Sequence, residues 1–190
     1  HECVPGWAVD EICGRMVLAP RPDASGRLRM CRDLMTAPIK RDPLIVTRYR
    51  SVVLTHALAS LIARDRFDLI HCDSVSVADS VVEAAGMPHC MGTHNVEAQI
   101  WLRHAQIERN PVKRAYILSQ YAKVRRFELE NYARFRRRLV VSEDDRRLMR
   151  EWYGLDSTVI PNGVDPDYFH PNGVEPDPFN IAFFGSMDWR

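Results

Sequence analysis

The chain has 190 residues, of which 46% are hydrophobic and 27% charged, and its net charge is +1. That is ordinary globular usage, enough for one domain and part of another, and it excludes disordered, collagen-like and disulfide-scaffold classes. No apolar run approaches the ~18 residues of a membrane span, no signal peptide is visible, and five cysteines without a CxxC pair point to reduced thiols.

The first 48 residues are the least legible. Cys13 to Pro20 suits a strand and Arg27 to Met35 a helix. Leu54, Ala57, Leu58, Leu61 and Ile62 follow the i, i+3, i+4, i+7, i+8 stripe of a helix docked on a sheet. The short apolar run 67–72 predicts a buried strand. Ala78, Val81, Val82 and Ala85 then give a second helical stripe, with Ser74 or Ser76 as its cap and Gly86 and Pro88 as its stop.

Residues 89–93 read as the next strand. Helices follow over about 95–109 and 112–136, divided by Asn110-Pro111, with the proline suited to the first turn of the second. On that second helix Leu118, Tyr121, Ala122, Leu129 and Tyr132 form the expected apolar stripe, interrupted by Arg125. A strand is expected at 138–141. Ser142-Glu143-Asp144-Asp145 resembles a capping box, opening a helix that Gly154 closes. Further strands are expected at 157–160 and 179–184. Strand and helix alternate at βαβ spacing, which predicts a parallel α/β sheet with helices on both faces.

Charge and repeats add two features. From Arg103 to Arg138 there are eleven Lys/Arg against three Glu, so a basic segment is set against an acidic remainder. A basic amphipathic surface attracts anionic headgroups or an anionic substrate; the plainer reading is a solvated outer face. No aromatic platform accompanies the charge, so nucleic acid is not an expected partner. The segment Pro161–His170 is followed directly by a near copy, Pro171–Asn180, seven of ten positions being identical. Its Pro and Gly content marks a linker near 161–178.

In sheets of this kind ligands sit beyond the carboxyl ends of the strands. That rule selects Asp73-Ser74, His94-Asn95-Val96-Glu97, Ser142, Asn162-Gly163 and Gly185-Ser186-Met187-Asp188. His94, just before a helix, suits a hydrogen bond to a substrate hydroxyl or a phosphate. Asn95 and Glu97 lie close enough to share its pocket, although both also suit the plainer roles of cap and dipole partner. Gly185-Ser186 suits close backbone approach to a phosphate, or an ordinary turn. Asp165-Pro166-Asp167 imitates a DxD metal motif but sits among turn residues, and strand alternation turns His89 and Cys90 to opposite faces. No metal site is expected. Cys72 and Cys90 read as packed core thiols.

Five stretches occur in a telling order: Thr93-His94-Asn95-Val96-Glu97, Arg126-Phe127-Glu128, Val141-Ser142-Glu143-Asp144-Asp145, Ile160-Pro161-Asn162-Gly163-Val164-Asp165 and Phe184-Gly185-Ser186-Met187-Asp188-Trp189. Together they resemble glycosyltransferase family 4, with the GT-B fold, and in particular bacterial sugar transferases of exopolysaccharide systems. The resemblance covers about residues 43–190.

The resemblance implies two doubly wound, Rossmann-like domains facing across a cleft. Residues 1–160 would be the N-terminal, acceptor-side domain without its first strand, 161–178 the linker, and 179–190 the opening of the donor domain. It implies retaining, metal-independent transfer of a hexose-type sugar from a nucleotide-diphosphate sugar, which is a co-substrate rather than a cofactor. The acceptor would be a glycan or a lipid-linked molecule, in polysaccharide biosynthesis.

On this reading His94 is the catalytic-side histidine at the cleft. Asn95, Glu97 and Ser142 shape the acceptor pocket, and Asn162, Gly163, Gly185 and Ser186 approach the donor. The expected location is the cytoplasm, with peripheral contact at the inner face of an anionic membrane through 103–138. Two departures stand out. The family's Gly-rich phosphate-facing loop is not recognisable. The Arg/Lys pair and paired Glu motif that neutralise and grip the donor are absent, so this stretch alone is expected not to turn over. The alternative reading is a non-catalytic acceptor- or membrane-binding module; a Rossmann oxidoreductase is disfavoured because the glycine fingerprint is missing.

Overall fold

The computed structural model describes residues 17, 27–37, 39–83, 86–170, 173, 175 and 178–181. In chain order these form α1 (Arg27–Thr36), α2 (Leu44–Tyr49), α3 (Val52–Arg64), β1 (Ile70–Cys72), a 3-10 turn (Val75–Val77), α4 (Ala78–Glu83), β2 (His89–Thr93), α5 (Glu97–Ile107), α6 (Pro111–Tyr132), β3 (Arg137–Val140), α7 (Glu143–Tyr153) and β4 (Thr158–Val159). The strands make one sheet in the order β1-β2-β3-β4, every pair parallel. This is the expected Rossmann-like α/β architecture. Among the described residues the strands are added in one direction, without a reversal of order.

Local chemistry explains where the elements start and stop. Asn110 Oδ1 accepts from the backbone N–H of Val112 at 3.0 Å and of Lys113 at 3.1 Å, and Pro111 occupies the first turn of α6. Ser142 Oγ accepts from the Asp145 N–H at 3.1 Å, and three acidic residues in the first turn of α7 complement its dipole. Gly154 ends α7 at φ +66, a left-handed conformation that few other residues adopt, and its N–H donates to Arg150 O at 2.9 Å. Ser74 caps the 3-10 turn by accepting from the Ser76 N–H.

The core lies between sheet and helices. Its largest fully buried members include Tyr132, Phe135, Met91, Met149, Val96 and Val140. Cys72 and Cys90 are buried free thiols in it, as their packing role predicts, and burial pushes both thiols up from their ordinary range. Among the described residues no helix is long and apolar enough to cross a membrane.

Several expectations are corrected. The strand expected at 67–72 begins, as β1, at Ile70 rather than Phe67, because Phe67 and Leu69 are exposed and unpaired in the ladder. The α6 stripe is displaced: Leu118, Ala122 and Leu129 are exposed, while Gln120, Val124, Phe127, Glu128, Asn131 and Tyr132 are buried. Polar residues occupy the inner face because each finds a partner there. Gln120 Oε1 accepts from the Leu44 N–H at 3.0 Å, and Asn131 donates to Phe127 O at 2.9 Å. The helix stripe of α3 is only half-buried. The strand expected at Cys13–Pro20 falls almost wholly outside the described residues, as does most of the one at 179–184; Phe179–Ile181, which is described, forms no strand.

Candidate functional site

The register aligns the carboxyl ends of the strands. Cys72 pairs with Met91, and Thr93 with Val140, which pairs in turn with Val159. The chain therefore leaves β2, β3 and β4 at a common level and β1 two residues earlier, and a cavity of about 280 Å³ opens there. Its polar wall is His71, Asp73, Gly92, Thr93 and His94, from the ends of β1 and β2. Its apolar floor is Leu139, Val140 and Val141, and the far wall is Ile160–Gly163 after β4.

His94 Nε2 lies 3.3 Å from Asp73 Oδ1 and 3.4 Å from Oδ2. His71 Nε2 approaches Oδ1 of the same carboxylate at 3.6 Å. His71 and Cys90 are register partners on one face, and His71 Nδ1 lies 3.6 Å from Cys90 Sγ. Gly92, two residues on from Cys90, shares that face, and its missing side chain leaves the space that the His71 ring occupies. Two imidazoles and one carboxylate thus line the mouth, half-exposed, able to donate to and accept from a hydroxyl-rich or anionic ligand. Among the described residues no group of three or more His, Cys, Asp or Glu is arranged to hold a metal ion.

The sequence candidates separate clearly. His94, Asn162 and Gly163 come together on the cavity. Asn95 and Glu97 do not line it. Asn95 is exposed and its carbonyl accepts from Thr93 Oγ1 at 2.5 Å; the Glu97 carboxyl is half-buried, and burial raises its proton affinity. Neither caps α5, whose N-cap is Val96 without a side-chain acceptor. Ser142 spends its hydroxyl on α7, accepting from the Asp145 N–H and meeting the Asp145 carboxylate. Gly185 and Ser186 lie outside the described residues. Asp165 closes a turn by accepting from the N–H groups of Asp167 and Tyr168. His89 turns away from the cavity, bonding Met87 O and Arg134 O and packing edge-on against Phe135.

Two residues escaped the sequence reading. His71 had a signal: it precedes Asp73 by two, the spacing that puts strand residues on one face. Glu128 was visible only as part of Arg126-Phe127-Glu128, with no role attached. It is fully buried and accepts from the backbone N–H of Glu97 at 2.8 Å and of Ala98 at 3.1 Å. It supplies from α6 the cap that α5 lacks.

A comparison with known families matches residues 15–168 to the model of Glycosyltransferase Family 4. The chain belongs to glycosyltransferase family 4. The match contains every residue of the cavity. No curated protein and no solved structure matches the chain. As a family 4 glycosyltransferase domain, it acts with a sugar donor and an acceptor as substrates, and the α/β sheet is that of the N-terminal, Rossmann-like half of a GT-B enzyme.

Proposed function

We propose that this chain supplies the acceptor side of a retaining, metal-independent transfer of a hexose-type sugar from a nucleotide-diphosphate sugar. The acceptor is a glycan or lipid-linked alcohol of the exopolysaccharide type. Residues 1–160 serve as the acceptor domain, 161–178 as the linker, and 179–190 as the entry to the donor domain with Gly185-Ser186 facing the diphosphate.

One observation carries this reading: His94 stands at the mouth of the strand-end cavity with Nε2 against the Asp73 carboxylate. An imidazole so held hydrogen-bonds the transferred sugar or the acceptor hydroxyl beside the leaving phosphate. In the transfer, the bond from the sugar C1 to the phosphate oxygen breaks and the acceptor oxygen takes its place. The acceptor proton passes to the departing diphosphate. The cavity is close to the lower end of the ~300–1,000 Å³ range of small-molecule sites, suiting a sugar-sized group. Asn162 and Gly163 shape the opposite wall; Asn95 and Glu97 act at one remove, through the turn they flank.

The test is nucleoside diphosphate release by the intact protein from a panel of UDP- and GDP-sugars, with a lipid-linked acceptor present. His94→Ala is expected to lower the rate at least tenfold. A wild-type rate removes the role given to His94.

A second reading is favoured by the outer side of α6, where Val112 (77% exposed), Leu118 and Leu129 are exposed on the same helix as Lys113 and Arg114, with Arg134 in the turn just after it. This surface suits peripheral contact with anionic headgroups at the cytoplasmic face. Part of the basic segment is already engaged: Arg125 stacks on Trp152 and Arg138 donates to three carbonyls. Sedimentation with phosphatidylglycerol vesicles at low and high salt checks it, binding being expected only at low salt.

A further inference from the structure

Glu128 is an unusual residue to find at 0% exposure, near the C-terminal end of α6. Its two oxygens receive four donors. Oε1 accepts from the Glu97 N–H at 2.8 Å and from the Tyr132 hydroxyl at 2.9 Å; Oε2 accepts from the Ala98 N–H at 3.1 Å and from the Tyr153 hydroxyl at 2.5 Å. Residues 97 and 98 open α5, Tyr132 closes α6, and Tyr153 closes α7. One carboxylate therefore joins three helices.

Its position relative to His94 is the telling part. Helix N-termini leave backbone donors unpaired, and a polar residue at the N-cap ordinarily supplies the acceptor. At α5 the N-cap is Val96, fully buried and without an acceptor, so the cap arrives from Glu128, 31 residues away in sequence. The other end of the turn lies against the same knot. Thr93 Oγ1 donates to Asn95 O at 2.5 Å and lies 3.4 Å from the Tyr132 hydroxyl that bonds Glu128. The exposed pair His94-Asn95 thus spans a short bridge anchored on both sides.

We propose that Glu128 is a positioning residue: its cross-helix cap sets where the His94 turn stands above the ends of the strands, and so sets the approach of His94 to Asp73. The assignment of a purpose to that position rests on the reading of His94 as the cleft-side group; the mechanical link does not. A buried charge is a poor device for stability alone, because an apolar residue of similar size does as well or better. What a carboxylate supplies and an apolar residue does not is two directed acceptors, each satisfying one N–H of the turn that follows His94.

The experiment uses the 190-residue chain with Glu128→Gln, Tyr153→Phe and His94→Ala. The ring-proton signals of His94 are assigned by their loss in His94→Ala. With Glu128→Gln, which keeps the size and removes one acceptor, the His94 ring signals are expected to move. Amide exchange at Glu97 and Ala98 is expected to speed at least tenfold while that of Met149 in α7 stays within about twofold. Tyr153→Phe produces the same pattern, smaller.

The proposal is overturned if Glu128→Gln leaves the His94 signals and both amides at wild-type values. Equal acceleration of exchange in every helix also overturns it, since that makes Glu128 a contributor to global stability only. If Glu128→Gln does not fold, the same two readings on Tyr153→Phe decide. In the intact protein a displaced His94 lowers kcat with KM for the nucleotide-sugar near wild type. Should His94→Ala turn over normally while Glu128→Gln still moves the turn, the functional reading of His94 falls and the positioning role stands.

Discussion

The imidazole of His71 lies over the bare Cα of Gly92: a Cβ at that glycine would stand 2.6 Å from His71 Nε2 and 3.1 Å from Asp73 Oδ1. The first distance is too short for an added methyl group and the second is tight, and the atoms that must give are the tips of half-exposed side chains. The consequence falls on the site before it falls on the fold.

For Gly92→Ala the expected outcome is therefore a separation of the two properties. Within a strand, replacing glycine favours the folded state by roughly 0.5–1 kcal/mol, which offsets the cost of moving the His71 ring. The urea midpoint should stay within about 1 kcal/mol of wild type. Nucleotide release should fall severalfold because His71 and Asp73 lose their places. A wild-type rate would show that neither side chain needs this arrangement.

Asp73→Asn keeps the shape of the contact with His94 and removes its charge. Both partners are more than half exposed, so the charged component of the hydrogen bond is worth under ~1 kcal/mol. The expected loss is about three- to fivefold in turnover with no change in unfolding midpoint. A loss as large as that of His94→Ala would place Asp73 in direct contact with substrate.

The pH dependence of stability carries a signature of Glu128. Burial pushes its carboxyl up to about 7, against the downward pull of the Tyr153 and Tyr132 hydroxyls and the two backbone N–H groups. The ionisable groups around it are Tyr132 on α6, Tyr153 on α7, and Glu97 on α5, with Arg125 acting on Tyr153. A folded value above the unfolded one means that the native state binds the proton more tightly. Stability from this group is then complete below about pH 4.5 and is lost as pH rises through about 7. Urea midpoints should show a decline across that window, on the order of 3 kcal/mol. The decline should be absent in Glu128→Gln, and an identical slope in the variant would assign it to another group.

Asn110→Ala removes the acceptor for two backbone N–H groups at the start of α6. The expected cost is about 1 kcal/mol, read as a lower denaturant midpoint, with turnover unchanged because the cap is remote from the cavity. A change in turnover would mean that the start of α6 communicates with its far end at Glu128.

The parts of the fold that were legible in sequence are those written in local chemistry. Asn110-Pro111 opens α6, and Ser142 and Gly154 bracket α7, because caps and left-handed stops depend on a few neighbouring residues. β2 occupies the expected 89–93 span. The inner face of α6 was not legible. Gln120, Glu128 and Asn131 look like surface residues until their partners arrive from α2, α5 and α7 and from within α6. The site divides in the same way. The strand-end rule selected Asp73, His94, Asn162 and Gly163, and the i, i+2 spacing to Asp73 was a signal for His71, whereas Gly92 acquires meaning only once the register sets β1 beside β2.

The two walls of the cavity are held very differently. The His94 wall is fastened through Glu128 to three helices. The Ile160–Gly163 wall follows a two-residue strand, with one further ladder bond from the Ile160 N–H to Val140 O at 2.8 Å. The expected consequence is an anvil on one side only: a ligand that fills the cleft should meet its stiffer face at His94, and any change in cleft width should be taken up at Ile160–Gly163, the wall with fewer ladder bonds.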